Sequence, residues 1–505
     1  KSKSFRQRHY DFPEYFAKSL ERLDQFRPNR QPDSQSDLYT YFYIRSLRLL
    51  NRQGVHVFIC SNSWLDVDYG AWLQEFFLRR APLYFVIDNH ARRSFARADV
   101  NTVITVAGAP FGVGPDHVVR FVAFRHPFKD VVLSDNLLKV ERTTAMLSEP
   151  SFCISPRTVG ELLREGSELI ETQEGTQSNF TDLAELQEAP DAGQDSSALY
   201  GSLVSKTAAG MLGKYVGDKW NGQYLRAPDI FFSILEKSSD KLTRLGDIAV
   251  VRRGYATGAN GFFYLEPLGA GEKPGMIRVR NGDGWEGDLE KEFLKPAITS
   301  PRDLDEIAIK PEDMKTYIFV FNKSKDELCG TQALEYILWG EERRYHNRST
   351  LRSRSQWWNV GASHKEYVAW ARTNAERHNV HINLGVELDN NFFGIKFLNG
   401  YEHPGALILV STFSILTKEL YGRSYGGGSG PIKLEGSDLT KMITIDPRHM
   451  PKNAVEELYD VVLNASIGTV FAECGIDPKS DTPIFAQEPN PVSYRKAIDD
   501  VVFDV

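Results

Sequence analysis

The chain contains 505 residues, of which 41% are hydrophobic, so it can bury the cores of about three domains. Its 60 Lys and Arg against 67 Asp and Glu give a net charge of −7, which excludes proteins whose basic composition alone binds nucleic acid. The sequence shows no long apolar run and no secretory signal, so we expect a soluble, intracellular protein without a membrane span.

Cysteine and histidine spacing gives no sign of a metal site. The four cysteines lie far apart and form no Cys-x-x-Cys pair, which argues against a disulfide framework and a thiolate zinc site. None of the 11 histidines belongs to a His-x3-His pair or to a triad. We therefore predict that the protein holds no metal ion.

Alternating helices and strands are predicted for the first part of the chain. They are a helix over 38–50, a strand over 55–60, a helix over 69–79 and strands over 83–88 and 100–106. Strands and helices that alternate at this spacing indicate an α/β fold with an at least partly parallel sheet. In such sheets ligands bind at the carboxyl ends of strands, so the polar loop at 61–63 is a candidate site.

The acidic residues are concentrated in the middle of the chain. Residues 161–195 contain ten acids and one base, Arg164, and so carry a charge of −9, which leaves about +2 for the rest. We interpret this stretch as a solvated connector between domains. Beyond it, short alternating stretches such as 248–254 and 317–321 predict an α+β domain, and helical spacing returns at 452–470.

Three short motifs of the first part resemble one known family. They are an acidic-Leu-Tyr motif at 37–39, a Ser-x-Ser-Trp-Leu motif at 61–65, and Phe95 followed by Val-Asn-Thr at 100–102. Their order and spacing resemble the later half of gamma-class N6-adenine DNA methyltransferases of the type II-G restriction-modification kind. This resemblance implies an incomplete Rossmann-like methyltransferase sheet, followed by an α+β target-recognition domain.

The resemblance also implies roles for individual residues. Phe95 would be the aromatic platform for an adenine flipped out of the duplex, because a stacked ring returns part of the unstacking energy. Asn101 and Thr102 would shape the wall of the pocket. Three further residues would brace the loops around it: Asp37, Tyr39 and Asn62.

A second stretch, residues 245–264, is similar to the opening of target-recognition domains in type II-G enzymes. Arg252 and Arg253 precede a Gly-rich turn, where guanidinium groups suit phosphates and guanine edges. The glycines would allow the backbone to approach DNA, although such a turn by itself is typical of a hairpin loop. The further DNA-binding candidates in this stretch are Thr257, Gly258 and Asn260.

A third stretch is rich in arginine. Its arginines lie within a dozen residues, next to aromatic side chains, and no acid lies nearby after Glu342, so the stretch is a candidate for phosphate binding. An exposed helix face is the alternative interpretation. The DNA-binding candidates here and downstream are Arg343, Arg344, Arg348, Arg352, Arg354, Trp357 and Arg423.

The resemblance implies four regions and a function. The regions are a later half of a methyltransferase domain at 1–150, an acidic connector at 151–241, a target-recognition domain at 242–446 and a helical segment at 447–505. The complete protein would transfer methyl from S-adenosylmethionine to adenine N6 in double-stranded DNA. It would do so in the prokaryotic cytoplasm, associated with the nucleoid.

The family's S-adenosylmethionine-binding elements do not occur in this sequence, which begins with Lys rather than Met. We therefore interpret the chain as an inactive fragment that requires a missing N-terminal half or a partner subunit. Two other functions remain open. One is a non-catalytic DNA-binding specificity module, and the other is a methyltransferase fused to an upstream endonuclease.

Overall fold

The computed structural model describes residues 32–90, 101–170, 211–398, 400–424 and 430–505. These residues form two compact units, which divide between Phe232 and Ser233. The helix Asp229–Lys237 crosses this division. Mixed sheets with helices in both units confirm the mixed α/β class that the sequence predicts.

The first unit contains a six-stranded sheet. Its strands, in chain order, are β1 Val55–Ser61, β2 Leu83–Asn89, β3 Thr102–Gly108, β4 Val118–Phe124, β5 Leu147–Ser148 and β6 Phe152–Thr158, and a separate pair is formed by β7 Ser167–Ile170 and β8 Met211–Tyr215. Its helices are α1 Leu38–Leu47, α2 Ala71–Arg79, α3 Phe128–Val131, α4 Ser134–Arg142 and α5 Val159–Glu165.

The strand order β1-β3-β2-β4-β6-β5 makes the sheet mostly antiparallel. Only β2 and β4 are parallel neighbours, which confirms a partly parallel sheet. β3 runs back between β1 and β2, so these two strands point in the same direction without touching. The carboxyl ends of β1, β2 and β4 consequently lie at the same edge of the sheet.

Aromatic side chains fill the core of the first unit. Trp64 and Trp72 are buried with Phe77, because the apolar face of α2 packs against the sheet. The ring of Tyr43 on α1 meets the edge of Phe77 at 5.4 Å between centroids. Trp220 packs edge-on against Trp64 at 5.9 Å. The chain that follows the acidic stretch therefore completes the core of the first unit.

Within the described residues, the second unit contains two large sheets and two small ones, and most of their strands are short. Its strands are β9 Leu242–Arg244, β10 Ala249–Arg253, β11 Tyr264–Ala270, β12 Met276–Asn281, β13 Glu286–Glu290, β14 Leu294–Ile298, β15 Ala308–Ile309, β16 Thr316–Phe319, β17 Val368–Ala371, β18 Thr373–Asn374, β19 Val380–Asn383, β20 Glu387–Leu388, β21 Phe392–Phe397, β22 Arg423–Ser424, β23 Ile432–Lys433 and β24 Ile443–Ile445. One large sheet has the order β10-β21-β17-β19-β15 and the other β13-β12-β11-β16-β14-β20.

Helices accompany these sheets, mainly towards the end of the chain. After α6 Asp229–Lys237 they are α7 Leu245–Ile248, α8 Asn260–Phe263, α9 Gln332–Glu342, α10 Glu402–Val410, α11 Thr412–Tyr421, α12 Gly436–Lys441, α13 Lys452–Leu463, α14 Val470–Glu473 and α15 Ser493–Phe503. α13 packs against α10 and α15, so the helical segment expected at 447–505 is part of the second unit.

Two expected boundaries differ in the structure. The first sheet continues past residue 150, because β6 pairs with β4 over its full length from Phe152 to Thr158. The helix expected over 452–470 ends at Leu463. The chain after it is extended, since the main-chain oxygen of Ala465 accepts a hydrogen bond from Ile307.

Candidate functional site

The polar ends of β1 and β3 meet at one edge of the first sheet. Ser61, the last residue of β1, lies opposite Thr102, the first residue of β3. The main-chain N–H of Asn62 donates to the main-chain oxygen of Asn101 at 3.0 Å. The structure therefore brings together Asn62, Asn101 and Thr102, which are separated by about forty residues in the sequence. Phe95 lies outside the described residues.

The other two bracing candidates hold the start of α1. The carboxylate of Asp37 caps this helix and accepts a hydrogen bond from the N–H of Leu38 at 3.0 Å. The hydroxyls of Tyr39 and Tyr69 lie 3.0 Å apart, and burial raises the pKa of Tyr39 well above its usual value. Tyr39 therefore stays neutral and acts as a hydrogen-bonding group rather than as a base.

A buried amide fixes the loop after β1. The Nε2 atom of Gln74 donates to the main-chain oxygens of Trp64 and Leu65 at 3.3 and 3.1 Å. It also donates to the main-chain oxygen of Asp218 at 3.0 Å. Gln74 is 1% exposed, so these bonds form in the protein interior, where they hold the loop in one position.

Residues near 220 hold the same loop from a second side. The Nδ2 atom of Asn221 donates to the carboxylate of Asp66 at 2.9 Å, and the Nζ atom of Lys219 donates to the main-chain oxygen of Asp66. Asn221 begins a π-helical segment, Asn221–Arg226, a form that is common at functional sites. The sequence analysis missed these residues, because no local pattern relates positions 153 apart.

In the second unit, the structure brings the Gly-rich turn and the arginine-rich stretch together. The Nη2 atom of Arg354 donates to the main-chain oxygen of Ala256 at 2.7 Å. The hydroxyl of Thr350 donates to the main-chain oxygen of Gly258 at 2.8 Å. Gly258 has a φ of +77°, a left-handed conformation that favours glycine. These two stretches therefore form one surface.

Arginine side chains extend from this surface into solvent. α9 ends at Glu342, so the arginines lie on the turn and loop after it and not on a helix face. The guanidinium of Arg343 lies 5.5 Å from the ring centre of Trp339, and that of Arg348 lies 4.1 Å from the ring centre of Tyr345. The other exposed candidates of the second unit are Arg252, Arg253, Asn260, Arg344, Arg352 and Arg423.

Three of the DNA-binding candidates are partly or fully buried. Thr257 is 0% exposed and donates to Asn260, and Trp357 is 5% exposed and donates from Nε1 to Glu341 at 3.0 Å. Arg354 is partly buried, which lowers its pKa, and its guanidinium donates a hydrogen bond to the main-chain oxygen of Ala256. Trp357 stacks with Tyr345 in the core. We therefore correct its expected role: Trp357 supports the arginine-rich stretch from within the core and is not placed to contact DNA.

An acid lies closer to the arginines than the sequence predicts. The Nη2 atom of Arg348 lies 3.8 Å from the carboxylate of Asp283, which also accepts a hydrogen bond from Tyr345. Asp283 belongs to the connection between β12 and β13, far away in the sequence. Arg348 is therefore partly neutralised, whereas no carboxylate of a described residue lies within ion-pair distance of Arg343 or Arg344.

Within the described ranges, no three His, Cys, Asp or Glu side chains are grouped so that they could hold a metal ion. The helices in the same ranges are too short or too polar to cross a membrane.

Two sequence models of known families match the chain. Residues 14–95 match the model of the Eco57I restriction-modification methylase. Residues 290–473 match the model of the C-terminal domain of the type II methyltransferase M.Eco57I. Both segments belong to Eco57I-type restriction-modification methylases. The restriction-modification methylase family that the motif spacing indicates is therefore confirmed.

Solved structures of restriction-modification enzymes match almost the whole chain. The type IIG restriction endonuclease BpuSI matches 98% of it at 12% identity with a TM-score of 0.36. The type IIL restriction-modification enzyme MmeI, solved in complex with DNA, matches 98% at 10% identity with a TM-score of 0.43. The chain spans 52% of the length of each of these proteins. No curated protein matches the sequence.

Proposed function

We propose that the complete protein is a site-specific DNA methyltransferase that modifies N6 of adenine in a restriction-modification or phage-defence system. The order of the two matched segments carries this proposal. A methylase segment at 14–95 precedes a methyltransferase C-terminal domain segment at 290–473. The first unit would act on the target base, and the second would select the sequence.

The target adenine leaves the duplex, because its amino group cannot be reached inside the base stack. We assign Phe95 as the aromatic surface on which the flipped base stacks, as the resemblance implies. Asn101 and Thr102 follow it and form the wall of the pocket. The hydrogen bond between Asn62 and Asn101 supports this assignment, because it fixes the wall relative to the end of β1.

S-adenosylmethionine supplies the methyl group when it is bound, and the resemblance implies that the main elements that bind it lie upstream of this chain. The acid nearest the end of β1, Asp66, already accepts hydrogen bonds from Asn221 and from the main-chain N–H of Gly222. These bonds give Asp66 a structural role, which is to hold the loop after β1. We assign the contacts of this cofactor to residues outside the chain, and we expect the present chain alone to be inactive.

The unpaired edge of the first sheet supports the proposal that a further segment or subunit completes the protein. Among the described strands, β1 pairs with β3 alone, and Val55, Val57 and Ile59 are exposed on it. An apolar strand with an unpaired edge favours association with another strand. We propose that the missing N-terminal half or a partner subunit pairs with β1.

Amide hydrogen exchange tests this pairing. In the complete protein, we expect the β1 amides that point away from β3 to exchange slowly, because a neighbouring strand accepts their hydrogen bonds. In the present chain the same amides should exchange quickly. The amides of β2, which is paired on both sides, serve as the control. Fast exchange from β1 in both proteins would exclude a neighbouring strand.

The arginine-rich stretch of the second unit, residues 343–354, is the proposed contact to DNA phosphates; we call it the arginine loop. Arg344 has a φ of +61°, and no other non-glycine residue in the described ranges has a positive φ. Glycine would adopt this conformation at lower cost, by about 1 kcal/mol. Arg344 directly follows the C-cap of α9, where a left-handed residue commonly ends a helix, and we propose that its exposed guanidinium binds a phosphate.

Replacing Arg344 with glycine should change stability and DNA binding in opposite directions. We expect the free energy of unfolding to rise by about 1 kcal/mol, because glycine removes the backbone strain. The dependence of DNA affinity on salt should become less steep by about one unit of slope, because one phosphate contact is lost. Urea denaturation and fluorescence anisotropy of a labelled duplex over a salt series measure the two effects.

Two further variants complete the experiment. Arg343→Gln tests a second arginine of the loop, and Lys496→Gln is the control. The first should also reduce the slope by about one unit. The second should leave it unchanged, because Lys496 pairs with Asp500 on α15 at 2.7 Å. An unchanged slope in both arginine variants would remove this loop from the DNA interface.

Binding of S-adenosylmethionine separates an enzyme from a pure DNA reader. We expect calorimetry to detect one molecule bound per complete protein. A specificity module without catalytic function would bind none. Magnesium-dependent cleavage of DNA by the complete protein would in addition reveal a fused endonuclease.

A further inference from the structure

A polar turn of the second unit, residues 389–391, lies directly beside Arg253. The turn joins β20 to β21, and Arg253 is the last residue of β10, an edge strand that pairs with β21. The Nε atom of Arg253 lies 3.4 Å from the main-chain oxygen of Asn390, and its Nη2 atom lies 3.5 Å from Asn390 Oδ1. A guanidinium and a carboxamide are therefore presented side by side.

The backbone of this turn is held from several directions. The main-chain N–H of Asn390 donates to the main-chain oxygen of Tyr255 at 3.0 Å. The carboxylate of Asp389 is 1% exposed and accepts hydrogen bonds from the Tyr264 hydroxyl at 2.6 Å and from the N–H of Asn391 at 2.9 Å. A turn fixed in this way presents its side chains without a large loss of entropy on binding.

The two asparagines of the turn differ in what their amides contact. The Nδ2 atom of Asn391 donates to the main-chain oxygen of Thr299 at 2.9 Å, so this amide is used by the protein. The Nδ2 atom of Asn390 has no acceptor among the residues that the structure describes, and its side chain is half-buried at the surface. Asn390 is therefore available to a ligand, and Asn391 is its natural control.

These two side chains match two neighbouring base edges. A carboxamide donates to N7 and accepts from N6 of adenine in the major groove, and a guanidinium donates to O6 and N7 of guanine. The 3.5 Å contact between Arg253 Nη2 and Asn390 Oδ1 is a hydrogen bond that holds the two side chains together, while the guanidinium and the carboxamide each keep further N–H groups to donate to a ligand. Because the two side chains lie side by side, we expect them to contact neighbouring base pairs.

We propose that Asn390 and Arg253 read an adenine and a guanine on adjacent base pairs of the recognition sequence. This inference rests on the proposed function, because it requires that the complete protein binds DNA sequence-specifically. It assigns Asn390, which no sequence motif indicates, as a residue that determines specificity. It also predicts an A·T pair next to a G·C pair within the recognised sequence.

Competition binding with duplexes that differ by single base pairs tests the proposal. The recognised sequence is first selected with the complete wild-type protein from a pool of random duplexes. Asn390→Ala should then lower the discrimination at one A·T pair by about 5- to 100-fold, and Arg253→Ala should do so at the adjacent G·C pair. Asn391→Ala should retain the full discrimination at both pairs. Thermal denaturation establishes that each variant is folded.

The outcomes separate the inference from the function on which it rests. If the wild-type protein selects a sequence and Asn390→Ala keeps the same discrimination, the inference is wrong and the proposed function stands. The same holds if the two variants relax positions that are not adjacent. If the wild-type protein selects no sequence, the proposed function and this inference both fail.

Discussion

Replacing Phe95 with alanine in the complete protein is expected to reduce methyl transfer about 10- to 100-fold, while duplex affinity changes by less than about twofold. The reason is that a flipped adenine loses its stacking partner, which is worth about 1–3 kcal/mol, whereas the phosphate contacts of the bound duplex remain. Single-turnover methylation with radioactive S-adenosylmethionine measures the first effect, and fluorescence anisotropy measures the second.

Phe503→Ala is a suitable control for this substitution, because Phe503 is an exposed phenylalanine on the last helix. We expect it to change neither methylation nor DNA affinity. Equal losses of methylation and of affinity in Phe95→Ala would contradict a role for Phe95 as the stacking surface of a flipped base.

Replacing Gly254 with alanine is expected to damage the second unit. A Cβ atom at this position would overlap the main-chain oxygens of Leu388 and Asp389. Because these atoms belong to the backbone, the turn beside β10 would have to move. We expect the free energy of unfolding to fall by about 1–3 kcal/mol. The discrimination between DNA sequences should fall as well, since Asn390 moves with the turn. Urea denaturation and competition binding measure the two losses.

Gly436→Ala provides the matched control. Gly436 is the first residue of α12, and a Cβ atom there would have its nearest neighbour at an ordinary 3.5 Å, in Phe393. This variant should retain stability and specificity. A Gly254→Ala protein with an unchanged denaturation midpoint would show that β10 can move away from the turn without cost.

Three of the six described strands in the first sheet were predicted from the sequence, because their signals are local. The strand expected over 55–60 is β1, Val55–Ser61, and the strand expected over 83–88 is β2, Leu83–Asn89. Each is a short run of β-branched and aromatic residues between polar loops, and such a run is visible in the sequence. The order of the strands was not visible, because it depends on β3 inserting between β1 and β2.

The buried network of the site depends on contacts that no local pattern reveals. Gln74 and Asp218 are 144 positions apart, and the acidic stretch lies between them in the sequence. Trp357 illustrates a second difficulty, which is that one local pattern can fit two different positions in a fold. An aromatic residue next to arginines is typical of a nucleic-acid surface, but it is equally typical of a core below such a surface. Only the fold distinguishes the two positions.

Mapping the modified bases in DNA treated with the complete protein and S-adenosylmethionine tests the central claim most directly. Sequencing that distinguishes methylated bases should find N6-methyladenine within one short sequence, with an adenine and a guanine on adjacent base pairs of that sequence. Methyl groups on cytosine, or no methyl transfer to DNA by a protein that binds S-adenosylmethionine, would contradict it.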